Sequence, residues 1–170
     1  MPGATEDIYI LDPDHENNLR PLMQAPVHEQ AAVVSPDGKV LAFSAWDEGR
    51  SRVYIQLFPG PGPRVQLSDE RTGMPQWSAD GRELFFLSGG RFDRLMSVAV
   101  ATEPELHASS PQLVFQHEFG GSLGLGLQRY DVAPDGRFAF ATPGFEIAAT
   151  EIRIILDWVP ELERAVAAQN

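Results

Sequence analysis

The chain contains no cysteine, only one lysine and no basic run. The absence of cysteine excludes disulfides, zinc–thiolate sites and cysteine catalysis. Lys39 and the scattered arginines are outnumbered by acidic residues, and the formal net charge is −11. Because an acidic chain of this kind repels phosphate groups, we expect neither a nucleic-acid partner nor binding to an anionic membrane surface.

Long apolar runs are also absent. No stretch approaches the roughly 20 apolar residues of a membrane-spanning helix, so we expect no membrane insertion by this chain. Met1 to Asp12 lacks the basic and apolar segments of a signal peptide. The compartment stays open: it is extracytoplasmic if a parent chain supplies an export signal or a membrane helix, and otherwise cytoplasmic. With 170 residues, 43% of them hydrophobic, the chain suits one domain with a packed core.

One tight turn recurs three times along the chain. Its copies are Ser35-Pro36-Asp37-Gly38, Ser78-Ala79-Asp80-Gly81 and Ala133-Pro134-Asp135-Gly136. Proline presets φ for a type I turn, aspartate tolerates the next position, and glycine supplies the left-handed residue that rejoins the strands through a bulge. The residues that we assign to structural turns are Asp37, Gly38, Asp80, Gly81, Asp135 and Gly136.

Each turn lies between two apolar, strand-like runs, so the sequence predicts an all-β protein. A unit that returns every forty-odd residues with a turn at a fixed place is typical of β-propeller blades with four antiparallel strands. We expect about three blades in a single partial propeller domain. The expected divisions are 1–23 (end of a preceding blade), 24–68, 69–118 and 119–159 (three blades), and 160–170 (C-terminal tail). Pro160 to Ala168 predicts a short helix in that tail.

The segments SPDGKVLAFSA and PQWSADGRELFFLS resemble the WD40-like (PD40) repeats of TolB-type six-bladed propellers. The C-terminal stretch, from YDVAPDGRFAF to EIRIILDWVPEL, is similar to the last blade of propellers linked to bacterial serine/threonine kinases. Similar propellers also occur in prolyl-oligopeptidase-like serine peptidases. The resemblance covers roughly residues 6–163, and a six-bladed ring needs about twice this length.

Patterns associated with catalysis fail at required positions. Gly120-Gly121-Ser122-Leu123-Gly124 matches G-x-S-x-G, but no helix is predicted after Ser122 and all four histidines precede it. The neighbouring glycines, in the order G-x-x-G-x-G, do not fit the G-x-G-x-x-G dinucleotide fingerprint. We therefore predict no catalytic residues, no cofactor and no enzymatic activity.

Metal-binding patterns fail in the same way. His28-Glu29 and His117-Glu118 begin like H-E-x-x-H but lack the second histidine. The stretch from Asp12 to Met23 lacks the glycine and the final glutamate of a calcium loop. The adjacent carboxylates Asp47-Glu48 and Asp69-Glu70 lie in predicted turns, where we expect them to be solvated. No metal site is predicted.

The sequence therefore indicates a non-catalytic propeller module for binding a protein or another ligand, as part of a larger protein. Two alternatives stay open: the C-terminal sensor propeller of a bacterial serine/threonine kinase, and the propeller part of a serine peptidase. Trp46, Trp77 and Trp158 are expected to pack between blades, with a binding platform as the alternative.

The remaining expectation concerns closure. Because a propeller avoids exposed edges by joining its first and last blades, three blades alone leave apolar surface uncovered. The chain is expected to be either a fragment of a longer propeller, with other domains of its parent chain as partners, or one half of a homodimer. In the homodimer, the N-terminal strands of each copy would complete the partner's last blade.

Overall fold

The computed structural model describes residues 7–11, 19–23, 26–60, 62–117 and 130–141. These residues form strands in antiparallel sheets and no helix, so the all-β prediction is confirmed. The strands are β1 (Tyr9–Leu11), β2 (Leu19–Pro21), β3 (His28–Val34), β4 (Val40–Asp47), β5 (Arg50–Leu57), β6 (Val65–Gln66), β7 (Thr72–Trp77), β8 (Glu83–Ser88), β9 (Arg94–Ala101), β10 (His107–Ala108), β11 (Gln112–Gln116), β12 (Tyr130–Val132) and β13 (Phe138–Phe140). The predicted helix at 160–168 lies outside the described residues.

Two sheets form the centre of the described structure. The first sheet has the order β3-β4-β5-β6, and consecutive strands are antiparallel neighbours. The second sheet has the order β7-β8-β9, with β10 and β11 both paired to β9. His107 pairs with Ala101, and Gln112 pairs with Ser97, so these two short strands follow one another along the same edge of β9. The second sheet is therefore also four strands wide.

A two-stranded hairpin precedes the first sheet and another follows the second sheet. The N-terminal hairpin, β1–β2, repeats the pairing of β5–β6. Tyr9 pairs with Pro21 as Tyr54 pairs with Gln66. The C-terminal hairpin, β12–β13, contains the third turn and so corresponds to β3–β4 and to β7–β8. The described residues thus contain a hairpin that matches the last two strands of the first sheet, two four-stranded sheets, and a hairpin that matches the first two strands of each sheet.

Alternation along the central strands places apolar side chains on both faces of each sheet. On β4, Leu41 and Phe43 pack against the N-terminal hairpin, whereas Val40 and Ala42 face the second sheet. On β8, the side chains of Leu84 and Phe86 point back to the first sheet. The next pair, Phe85 and Leu87, packs with the C-terminal hairpin. The four layers are therefore stacked face to face in chain order, with an apolar cluster at each of the three junctions.

Hydrogen bonds also cross the junctions. The hydroxyl of Thr72 on β7 accepts a hydrogen bond of 2.8 Å from the backbone N–H of Val53 on β5. The indole N–H of Trp77 donates to the carbonyl of Val33 over 3.2 Å. The hydroxyl of Tyr130 in the C-terminal hairpin donates to the carbonyl of Met74 on β7 over 2.9 Å. Each of these side chains meets a backbone group of the preceding layer and fixes how the two layers align.

We predict that Thr72→Val destabilises the protein by about 1–3 kcal/mol, because Thr72 is fully buried and the change leaves the Val53 N–H without its acceptor. Chemical denaturation monitored by circular dichroism measures the effect. Thr72→Ser keeps the hydroxyl and serves as the matched control, with a smaller loss. Equal stability of Thr72→Val and wild type would show that this hydrogen bond does not hold the two sheets together.

Candidate functional site

The first two recurring turns share one hydrogen-bond pattern. In the first, the backbone N–H of Gly38 donates to the carbonyl of Ser35 over 2.8 Å, and the Ser35 hydroxyl donates to Asp37 over 2.6 Å. In the second, Gly81 and Ser78 make the equivalent backbone bond at 3.0 Å. The corresponding Ser78–Asp80 bond is 2.7 Å. Both glycines have positive φ, +74° and +70°, as the bulged-turn prediction requires.

The third turn keeps the backbone and changes the side chains. The N–H of Gly136, whose φ is +82°, donates to the carbonyl of Ala133 over 2.9 Å. Because alanine replaces serine, Asp135 has no hydroxyl partner at that position and instead accepts a bond of 2.7 Å from Arg137. The carboxylates of all three turns are thus used within their own turns.

The serine hydroxyls also affect ionisation. The Ser35 hydroxyl and the backbone N–H of Lys39 hold the pKa of Asp37 below its usual value. The Ser78 hydroxyl and the N–H of Arg82 do the same for the pKa of Asp80. Both carboxylates are therefore ionised at neutral pH and act as fixed acceptors of turn N–H groups, which is a structural role.

A shallow open cleft lies between the first two turns. Asp37 and Asp80 line it together with Arg82 and Glu103. The turns approach each other closely here, since a Cβ added to Gly81 would lie 3.2 Å from Cδ of Pro36. The cleft brings three of the predicted turn residues together, Asp37, Asp80 and Gly81, whereas Gly38, Asp135 and Gly136 do not line it.

The opposite end of β3 carries a buried ion pair. The Glu29 side chain is fully buried, and its Oε1 lies 2.6 Å from a guanidinium nitrogen of Arg64. Arg64 also lies over the ring of Phe43, 5.3 Å from the ring centroid, and contacts the sulfur of Met23 at 3.6 Å. The guanidinium thus spans the junction between the N-terminal hairpin and the first sheet.

This ion pair leaves acceptors without donors. Glu29 Oε2 and Asp7 Oδ1 are both buried and have no hydrogen-bond partner among the described residues. Burial raises the pKa of Glu29 above its usual value; Arg64 offsets part of the effect, and the Asp7 charge adds to it. The sequence analysis missed this site because His28-Glu29 was considered only as a truncated metal motif. Glu29 is the one buried residue of β3, and the polar sequence around it gave no signal of that burial.

The paired carboxylates remain open to solvent, as expected, with side-chain exposures of 42% for Asp47, 78% for Glu48 and 54% for Glu70, and these three also contact arginines. Asp47 and Glu48 lie 3.4 Å and 3.2 Å from the guanidinium of Arg52, whose side chain is only 10% exposed. Glu70 accepts hydrogen bonds from Ser88 and Arg94. The carboxylates lie at strand ends, where arginines of the adjacent strands reach them.

The tryptophans divide between the two roles considered. Trp77 is 8% exposed and belongs to the cluster between the sheets, as expected for core packing. Trp46 is 43% exposed at the end of β4, so the core expectation is wrong for it. Trp158 lies outside the described residues, as do the Gly120–Gly124 motif and most of the stretch from Asp12 to Met23.

The described ranges contain neither a candidate metal cluster nor a candidate membrane-spanning helix. No group of three or more histidine, aspartate or glutamate side chains there could hold a metal ion. In the same part of the chain, no helix has the length and apolar character needed to cross a membrane.

We predict that Gly81→Ala costs more stability than Gly38→Ala. Both place a Cβ at positive φ, which costs about 1–2 kcal/mol. Only Gly81 adds the close approach to Pro36, since no atom lies within 4 Å of a Cβ at Gly38. Denaturation midpoints of the two variants test the order. Gly90→Ala, where a Cβ also meets nothing within 4 Å and φ is not positive, is the control with little effect. A larger loss for Gly38→Ala would contradict the packing of the two turns.

No protein-family model matches the chain, and no curated protein sequence matches it either. Membership of the PD40 and TolB-like group therefore remains the expectation raised by the repeat motifs.

Proposed function

We propose that this chain is a β-propeller segment that works as a non-catalytic interaction module. The support is the repetition of one four-stranded sheet, stacked face to face in chain order. The recurring turns lie at the same place in each unit, and successive units bury a shared apolar cluster, as blades around an axis do. The hydroxyls of Thr72 and Tyr130 and the indole of Trp77 bond between layers, which is the use expected of structural residues.

A bulge shared by β3 and β7, the first strands of the two sheets, carries this proposal. β3 has a register shift between Gln30 and Val33, and β7 has one between Gly73 and Gln76. At the corresponding point each strand contains a non-glycine residue with positive φ: Ala31 at 53° and Met74 at 58°. Two strands of different sequence adopt the same costly bulge, which supports one repeated unit more strongly than strand order does.

The outer face of the N-terminal hairpin is the interaction surface that we propose. Tyr9, Leu11 and Leu19 are 48%, 60% and 60% exposed. With Pro21 they form one uncharged face, because Tyr9 pairs with Pro21 and Leu11 with Leu19. The opposite face of this hairpin, which carries Ile8 and Leu22, packs on the first sheet.

Another β-sheet layer is the partner that fits this face. In the first sheet, the residue at the position of Tyr9 is Tyr54, and its face is covered by the preceding layer. The outer face of the N-terminal hairpin repeats the strand pairing of β5 and β6, so it is suited to packing against a β-sheet layer in the same way. In a solution that contains only this chain, the covering layer would come from a second copy.

We predict that the purified 170-residue chain is a dimer and that Leu19→Arg makes it monomeric, because a charge would be buried at the interface. Multi-angle light scattering coupled to gel filtration measures both masses. Leu113→Arg is the control: Leu113 is 55% exposed but lies on β11, away from this face, so the variant should stay dimeric.

A monodisperse wild-type monomer with little binding of an apolar dye would contradict the use of this face as an interface. Dimers that persist in Leu19→Arg but dissociate in Leu113→Arg would place the interface on the second sheet instead.

A further inference from the structure

Two carboxyls and one guanidinium meet at the junction beneath the N-terminal hairpin, counted over the described residues. Asp7 comes from the hairpin side and Glu29 from β3, and each has a buried oxygen without a hydrogen-bond partner. Among the described residues, the guanidinium that contacts Glu29 is that of Arg64, whose side chain is 32% exposed. Two carboxylates against one cation leave a net negative charge in a place where water cannot reach the free oxygens. Such a charge is costly, and a proton removes it at the least structural cost.

The other charged groups that the structure describes around the junction do not cancel this excess. Arg52 lies on the same face as Glu29, across β4, but Asp47 and Glu48 already bind it. Arg20 on β2 is exposed to solvent. His28 is exposed and adjacent to Glu29 on β3, and successive side chains of a strand point to opposite faces. The β4 residues beneath the hairpin, Leu41, Phe43 and Ala45, are uncharged.

The same point in the next junction is neutral. Glu29 and Thr72 occupy equivalent positions, six residues before Ser35 and Ser78. Thr72 accepts the backbone N–H of Val53 from the preceding layer and needs no counter-charge. A titratable group therefore stands at the first junction where a neutral hydroxyl serves in the second.

We propose that Asp7, Glu29 and Arg64 form a pH-sensitive lock for the N-terminal hairpin. With a proton on Glu29, one negative charge stands against the Arg64 guanidinium and the hairpin stays docked. When that proton is lost, the two negative charges repel across the junction and docking weakens. The lock would control access to the apolar surface beneath the hairpin, and it does not depend on the proposed function.

The direction in which pH changes docking follows from the linkage between protonation of Glu29 and docking of the hairpin. A carboxyl whose pKa is higher in the docked state than in the released state favours docking at low pH. That contribution is complete below the released value and is lost as the pH rises through the docked value. The lock therefore closes in acid and loosens towards neutral pH, opposite to the Asp37 and Asp80 turns, whose depressed pKa values favour folding as pH rises.

Carbon-13 NMR of the Glu29 carboxyl and amide hydrogen exchange test the lock in the full chain. The N–H groups of Leu22 and Met23 donate to the carbonyl of Ile8 within the hairpin, at 2.8 and 3.2 Å, and all three residues pack on the first sheet. Because an isolated two-stranded hairpin is only marginally stable in water, exchange of these amides reports release of the hairpin from the sheet. We expect Glu29 to titrate above its ordinary value of 4.5. We also expect the protection factors of these amides, corrected for intrinsic exchange, to fall as the pH rises. The total fall should be about tenfold for each pH unit by which docking raises the pKa of Glu29. Amides of β4 report on global unfolding and should not follow that fall.

Two variants separate the lock from general destabilisation. Glu29→Gln mimics the protonated carboxyl and should keep the hairpin protected at all pH values, whereas Asp7→Asn should lower the Glu29 titration midpoint. Glu83→Gln, at an exposed position on β8, is the control and should leave both readouts unchanged. A Glu29 midpoint at or below 4.5, or hairpin protection that does not change with pH in wild type, would overturn the proposal. Unchanged pH dependence in Glu29→Gln would do the same.

Discussion

The structure depends on covering both faces of each central sheet. Residues 40–45 of β4 are buried without interruption, so this strand has apolar or small side chains on either side. A sheet of this kind is stable only between two other layers, because each exposed face would leave several large side chains in water. The stacking of layers in chain order follows from this requirement, as do the three apolar clusters. The exposed outer face of the N-terminal hairpin is where the same requirement is unmet among the described residues.

Repetition fixes the geometry of the layers and leaves the chemistry of individual positions free. Glu29 on β3 and Thr72 on β7 occupy equivalent positions in the first strand of each sheet, and both side chains face the preceding layer. Threonine satisfies one backbone N–H there, whereas glutamate brings a charge that needs Arg64. A neutral hydrogen bond is insensitive to pH, and a buried carboxyl is not. A single difference within the repeated unit thus places a titratable group at one junction, while the strand pairing and the bulge are the same in both units.

The sequence predicted what is locally encoded and missed what depends on packing. Turns containing Asp-Gly have their own conformational preference, so Gly38, Gly81 and Gly136 have the expected positive φ. The bulges at Ala31 and Met74 have no such signature, because alanine and methionine do not favour positive φ. The sequence analysis also missed that the edge strand beside β9 in the second sheet is divided into β10 and β11. Pro111, which has no N–H to donate to the ladder, lies between them.

The buried site was harder to predict for a related reason. A strand that begins His28-Glu29-Gln30 has a polar sequence and suggests an exposed edge. Its burial comes from a hairpin whose placement the sequence does not specify residue by residue. The two tryptophans that the structure describes show the same limit. Trp46 is the next-to-last residue of β4 and Trp77 the last of β7, but only Trp77 packs against the preceding layer.

The cations that contact the stacked layers are arginines, which suit this position better than lysines would. Arg64 lies over Phe43 and Arg71 over Phe92, with 5.3 Å and 4.3 Å from guanidinium to ring centroid. Arg52 is nearly buried between two carboxylates. A planar, weakly hydrated guanidinium can stack on a ring and bind carboxylates at the same time, whereas a compact ammonium keeps its water. The ion-paired arginines neutralise the acids that they bind, but acidic residues outnumber the cations and leave a net charge of −11. A net negative charge of this size opposes the approach of a second copy through charged surfaces. Association through an uncharged face such as that of Tyr9, Leu11 and Leu19 avoids this repulsion.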